Sequence, residues 1–146
     1  MAVDPSFVGR RYPPTEPYLV GREKIREFAD AIGADDAAYR DAAAAAALGH
    51  PDVIAPPTFA VLVTSMAGQE FIHDPKLGVD YSRVVHAEQR FAYVRPVRAG
   101  DRLVCVVEVE EVMSRAGSDF LTTRTDVTTD DGEAVVSVWT RLVVRG

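Results

Sequence analysis

Apolar residues recur with a helical period in the first half of the chain and with a period of two in the second. Ile25, Phe28, Ala29 and Ile32 fall at i, i+3, i+4 and i+7, one stripe of a helix over about 22–32. Glu23 and Glu27 have basic neighbours there, and Gly33 is a natural stop. A second helix is expected over about 36–48, around the alanine run 42–47, because alanine has the best intrinsic helix propensity. Asp35 or Asp36 is placed to cap its start and Gly49 to close it. A third helix is expected from Pro57 to about 71, since proline suits a first helical turn. Phe59, Val61, Leu62, Val63 and Met66 surround nearly the whole cylinder with apolar groups, the pattern of a buried helix.

Beyond Pro75 the alternation becomes strand-like. Residues 84–94 carry Val85, Ala87, Gln89, Phe91 and Tyr93 on one parity, and 102–112 carry Leu103, Cys105, Val107 and Val109 on one face. Residues 120–129 are rich in threonine and 133–144 in valine, with turns at 99–101, 115–117 and 130–132. Pro5, Pro13, Pro14 and Pro17 make the first 20 residues an extended lead-in around Phe7, Tyr12 and Tyr18 rather than a regular element. The sum is an α+β architecture in which an antiparallel sheet wraps one buried helix.

With 146 residues, 47% of them hydrophobic, the chain is expected to form a single domain over 1–146 that buries roughly two-thirds of its unfolded surface. Cys105 is the lone cysteine, so neither a disulfide framework nor a Cys-rich zinc site is available. No His, Asp or Glu spacing suggests a metal site, and no cofactor is expected. The balance of 16 basic and 22 acidic residues, net −6, argues against nucleic acid as a partner. No apolar run approaches a membrane span, and the amino terminus lacks a signal-peptide pattern, so a cytoplasmic location is expected.

Four segments carry a resemblance that covers nearly the whole chain. They are Arg22-Glu23-Lys24-Ile25-Arg26-Glu27-Phe28-Ala29, Ile54-Ala55-Pro56-Pro57-Thr58-Phe59, His86-Ala87-Glu88-Gln89-Arg90-Phe91 and Arg95-Pro96-Val97-Arg98-Ala99-Gly100-Asp101. Together they resemble the MaoC-like, R-specific hydratase/dehydratase branch of the hotdog fold. They are similar in particular to the amino-terminal MaoC-like dehydratase domain, and to the non-catalytic subunit of heterodimeric (3R)-hydroxyacyl-carrier-protein dehydratases. The resemblance implies a long central helix wrapped by a curved antiparallel sheet, and two hotdogs joined edge to edge. It implies acyl thioesters of coenzyme A or acyl-carrier protein as substrates, with water added or lost across the C2–C3 bond.

Dehydration of a 3-hydroxyacyl thioester needs a base for the C2 proton, an acid for the leaving hydroxyl, and an N–H to hold charge on the thioester oxygen. The hydratases that this chain resembles take the first two from a Gly-Asp-x-Asn-Pro-x-His loop after the first helix, and the third from a glycine opening the central helix. Here that loop reads Gly33-Ala34-Asp35-Asp36-Ala37-Ala38-Tyr39. Ala34 stands at the aspartate position, Tyr39 at the histidine position and Pro57, with no N–H, at the glycine position. A methyl group takes no proton, and a phenol with a reference pKa of about 10 is a poor acid or base near neutrality.

Substitutes for the missing groups are Asp35, Asp36 and His50, with capping by the two aspartates and a solvated loop position for His50 as the plainer alternatives. Thr58 offers its own N–H in place of that of Pro57. Tyr39, Ala55, Pro56, Pro57, Thr58 and Phe59 are the expected substrate-binding residues. His73 suits the end of the central helix. His86, Glu88 and Arg90 are expected on one strand face, either solvated or against a second hotdog. Ser65 and Cys105 are expected to be packed residues rather than nucleophiles. The functional expectation is a subunit that binds the acyl chain while a partner hotdog supplies the Asp/His pair. A self-sufficient homodimeric hydratase or thioesterase, and a non-enzymatic acyl-thioester binding protein, are the alternatives.

Overall fold

A computed structural model, which describes residues 3–146, joins five antiparallel strands into one sheet in the order β1-β3-β4-β5-β2. The strands are β1 Tyr18–Leu19, β2 Val84–Tyr93, β3 Arg102–Arg115, β4 Ser118–Thr129 and β5 Ala134–Val144. Period-two patterning dictates their faces. Leu103, Cys105, Val107 and Val109 of β3 are buried, as are Leu121 and Val127 of β4 and Val136 and Val138 of β5. The β3–β4 turn is tight because Ala116 and Gly117 both take positive φ, 53° and 79°, as a two-residue hairpin requires. The expected strands are present with boundaries within a few residues, so the α+β reading holds.

The opposite face of the sheet is a charge ladder. Arg124 meets Glu108 and Glu110, both at 3.2 Å, and Asp126 at 3.3 Å. Trp139 Nε1 donates to Glu110 at 3.1 Å, and the Arg90 guanidinium lies 4.3 Å from the Trp139 ring centroid.

The lead-in is more ordered than expected. It runs beside β3, with Gly9 N donating to Val109 O at 2.8 Å and Tyr12 N to Val107 O at 2.9 Å, before β1 pairs with the start of β3. Phe7 and Tyr12 are buried by this course. Helix α1, Arg22–Ala31, buries Ile25 and Ala29 and ends at Gly33 in the left-handed region, φ 69°.

The helix expected over 36–48 is not continuous. Asp36 accepts a hydrogen bond from Ala38 N at 2.9 Å and caps a single 3-10 turn, Ala37–Tyr39. The chain then breaks, and α2, Ala42–Ala47, begins only after Asp41 accepts from Ala43 N at 2.9 Å. Local side chain–backbone bonds from two aspartates thus override alanine propensity.

The central helix is also shorter than expected. Residues 57–59 form a turn, α3 is Ala60–Ala67, and α4, Gln69–Ile72, follows a one-residue interruption at Gly68. Hydrogen bonds still cross the interruption, from Gly68 N to Thr64 O at 2.9 Å and from Ile72 N to Gly68 O at 3.0 Å. Nor is it buried all round. Ala60, Val63, Thr64 and Ala67 face the core, whereas Ser65 is exposed, contrary to its expected packing, and Met66 is 54% exposed.

Strand β2 pairs with β5 along one edge, and its other edge is unpaired among the described residues. A bulge at Ala87 lies between the pairs His86–Leu142 and Glu88–Arg141. It reverses the expected parity, so Val84 and His86 share the helix side with Gln89, Phe91 and Tyr93. His86 and Glu88 therefore occupy opposite faces, not the one face expected.

The loop after β2 is clamped by Arg95, which donates to both carboxylate oxygens of buried Asp101 at 2.9 Å and also bonds Glu133. Asp101 accepts from Arg98 N at 2.9 Å as well. Removing one member of a buried ion pair strands the other charge. Asp101→Ala is therefore expected to lower unfolding free energy by about 3 kcal/mol in urea denaturation.

Candidate functional site

Three chain segments meet at the amino-terminal end of the central helix. Ile54 N donates to Ala38 O at 3.1 Å, Ala55 N to Val97 O at 2.7 Å, and Ala99 N to Val53 O at 3.0 Å. These bonds stitch the loop before α3 to the loop after α1 on one side and to the loop after β2 on the other. They border an open-sided cavity of about 330 Å³ lined by Tyr39, Ala55, Pro57, Tyr93, Val94 and Arg95, among others. The Tyr93 hydroxyl donates to Pro57 O and fixes the turn that opens α3. Burial pushes the Tyr93 phenol up to about 12.

Of the expected substrate-binding residues, Tyr39, Ala55 and Pro57 line this cavity. Pro56 and Phe59 are buried instead, Phe59 edge-on to Phe28 with ring centroids 5.5 Å apart. Thr58 is exposed at the helix start. Sequence reasoning missed Tyr93, Val94 and Arg95. The signal for Tyr93 was its place on the inward parity beside Phe91, with which it stacks.

The expected catalytic substitutes do not converge. Asp36 is committed to its cap, and Asp35 is exposed with no side-chain hydrogen bond among the described residues. His50 closes α2 through its backbone N, which donates to Ala45 O at 3.0 Å, and its side chain lines neither cavity described here. His73 sits at the end of α4, with Nδ1 3.0 Å from Gln69 O and its ring stacked on Tyr81, the structural place expected for it. Among the described residues no group of three His, Cys, Asp or Glu side chains is placed to hold a metal ion.

A second space lies between the central helix and the sheet, on the side of β2. It is a groove of about 490 Å³. Val61, Phe71, Ile72 and Leu142 supply apolar walls, while Thr64, Thr123, Thr125, Gln89 and His86 supply polar ones. Gln89 is fixed in orientation. Its Nε2 donates to Trp139 O at 3.1 Å and to Thr140 Oγ1 at 2.9 Å, which leaves Oε1 to accept from His86 Nε2 at 2.8 Å.

A helix cradled in the concavity of an antiparallel sheet, with a cavity at its amino-terminal end, is the hotdog arrangement. Residues 6–138 match the model of the FAS1-like dehydratase domain region. The chain belongs to that family, in its MaoC-like branch. A UPF0336 protein of Streptomyces coelicolor is 60% identical over 145 residues, covering 99% of this chain and 97% of that one. The HadBC (3R)-hydroxyacyl-ACP dehydratase complex of Mycobacterium tuberculosis contains a chain 36% identical to this one, with a TM-score of 0.84 over 98% of this chain and 99% of that one. A MaoC-like dehydratase, also 36% identical, superposes with a TM-score of 0.89 over 96% of this chain, which spans 42% of that larger one.

Cys105 is packed, as expected, and burial pushes its thiol up to about 12 against the opposing Thr15 hydrogen bond. Unfolded, Cys105 and Tyr93 lose their protons near their ordinary values of 9.0 and 10.0, while the folded chain retains both to about 12. The folded state then binds more protons than the unfolded one, so stability is full below pH 9 and falls as pH rises towards 12. Urea denaturation across this range is expected to show that fall, with its onset moved from near 9 to near 10 in Cys105→Ala.

Proposed function

We propose that this chain is the acyl-binding subunit of an (R)-specific 3-hydroxyacyl-thioester dehydratase, or enoyl-thioester hydratase, of fatty-acid metabolism. One observation carries the reading. A groove of acyl-chain size opens beside a strand edge that is unpaired among the described residues, in a chain whose catalytic-loop positions hold Ala34 and Tyr39. The thioester end of an acyl-coenzyme A or acyl-carrier-protein substrate sits at the cavity of Tyr39, Ala55 and Pro57, and the acyl tail runs along the central helix. A second hotdog adds its edge strand to β2 and brings the Asp/His pair that this chain lacks.

The exposed side chains of Met66, Tyr81, Val85 and Val94 provide apolar surface of the kind such a contact covers. The 36% identical chain of the HadBC complex supports the reading, because that protein is a dehydratase complex acting on hydroxyacyl-ACP. A self-sufficient hydratase or thioesterase would need chemistry from Asp35, Asp36 or His50. Asp36 already caps a turn, and neither Asp35 nor His50 lines the cavity.

Purified alone, the chain is expected not to hydrate crotonyl-coenzyme A in a spectrophotometric assay, and to support turnover once combined with a hotdog subunit carrying the Asp/His pair. Asp35→Ala and His50→Ala are expected to leave the combined activity within about twofold. Turnover by the chain alone, abolished by either substitution, would overturn the reading.

A further inference from the structure

We propose that the groove between the central helix and the sheet selects acyl chains bearing an oxygen substituent, a hydroxyl or keto group, near mid-chain; this rests on the acyl-binding reading above. The register of the sheet carries the argument. Val109, Thr123, Thr140 and Gln89 stand directly opposite one another on β3, β4, β5 and β2, a single row across the helix side. Thr125 follows two residues along β4, and Thr64 approaches from α3. All but Val109 line the groove.

Thr64, Thr123 and Thr125 are only 5%, 9% and 3% exposed, yet none of their hydroxyls is a buried atom left without a partner; with no side-chain hydrogen bond of their own among the described residues, they open onto the groove. Hydroxyls open to the groove are matched by water, and an alkyl chain seated there would displace that water and leave them unpaired at a cost. Valine would fill these positions at nearly the same volume without that cost, and a channel for plain hydrocarbon would be built that way. Three hydroxyls on one wall, which a plain alkyl chain would strip of water, instead point to a polar atom of the ligand.

The remaining polar groups complete the match. Thr140 Oγ1 accepts from Gln89 and so keeps its own proton to donate. With Gln89 Oε1 as an acceptor, His86 donates to it from Nε2 on the groove wall. The threonine hydroxyls both donate and accept, so either a ligand hydroxyl or a keto oxygen can pair with them.

The depth separates this site from the reacting carbons. Thr64 lies a full turn inside α3, four residues or roughly 6 Å past its first residue, and the turn at 57–59 separates it further from Pro57. The oxygen read here is therefore one far beyond C3.

The test is calorimetric titration of the full-length chain, purified with any subunit that accompanies it. The two probes are a saturated medium-chain acyl-coenzyme A and the same thioester with a hydroxyl near mid-chain. The hydroxylated probe is expected to bind roughly tenfold more tightly. Thr123→Val combined with Thr125→Val should erase that preference while plain-chain affinity holds or rises, which also reports an intact fold. Equal or tighter binding of the plain chain by the unaltered protein, or a preference that survives the double substitution, overturns the proposal and leaves the acyl-binding reading standing. Failure of both probes to bind overturns the two together.

Discussion

The controlling constraint is a mismatch of length between the sheet and the helix it wraps. Strand β3 has 14 residues and reaches roughly 46 Å, whereas α3 has 8 residues and reaches roughly 12 Å. A curled sheet of that extent cannot bury its concave face against so short a helix. The lead-in covers part of the deficit, threading Phe7 and Tyr12 along β3. Helix α4 continues the central rod past Gly68 and adds Phe71 and Ile72. What stays uncovered, on the side of β2, is the groove. The groove thus arises from the packing problem itself and needs no special element.

Much of this frame was legible in the sequence, because strand periodicity is local and repeated. Leu103, Cys105, Val107 and Val109 announce β3, and each is buried. The helices were less legible because the decisive interactions are single bonds. Asp35 and Asp36 are the caps that the sequence suggests for this stretch, yet the Asp41 carboxylate sets where α2 starts. Pro57 looked like a first helical residue, yet the turn at 57–59 delays α3 to Ala60. The bulge at Ala87 left no periodic trace at all, since one extra residue only becomes visible against its pairing strand.

The site divides in the same way. Ala34, Tyr39 and Pro57 stood out because they depart from a family pattern, and departures can be read residue by residue. Tyr93 could not be found so, because its role depends on meeting the Pro57 carbonyl from a strand 36 residues away. The threonines had a signal that went unused. Leu121, Thr123, Thr125 and Val127 share one parity of β4, and hydroxyls appear there where the alternation calls for aliphatic groups.

The bulge on β2 bears on how its free edge can be used. A regular, exposed strand edge is a template that accepts any extended chain, its own copies included, and propagates without limit. Ala87 interrupts the ladder of free amide and carbonyl groups after three residues, and Glu88 and Arg90 follow with charges of opposite sign. An incoming strand has to carry a complementary kink at that point to zip along the whole edge. The irregularity therefore works against indiscriminate stacking along this edge.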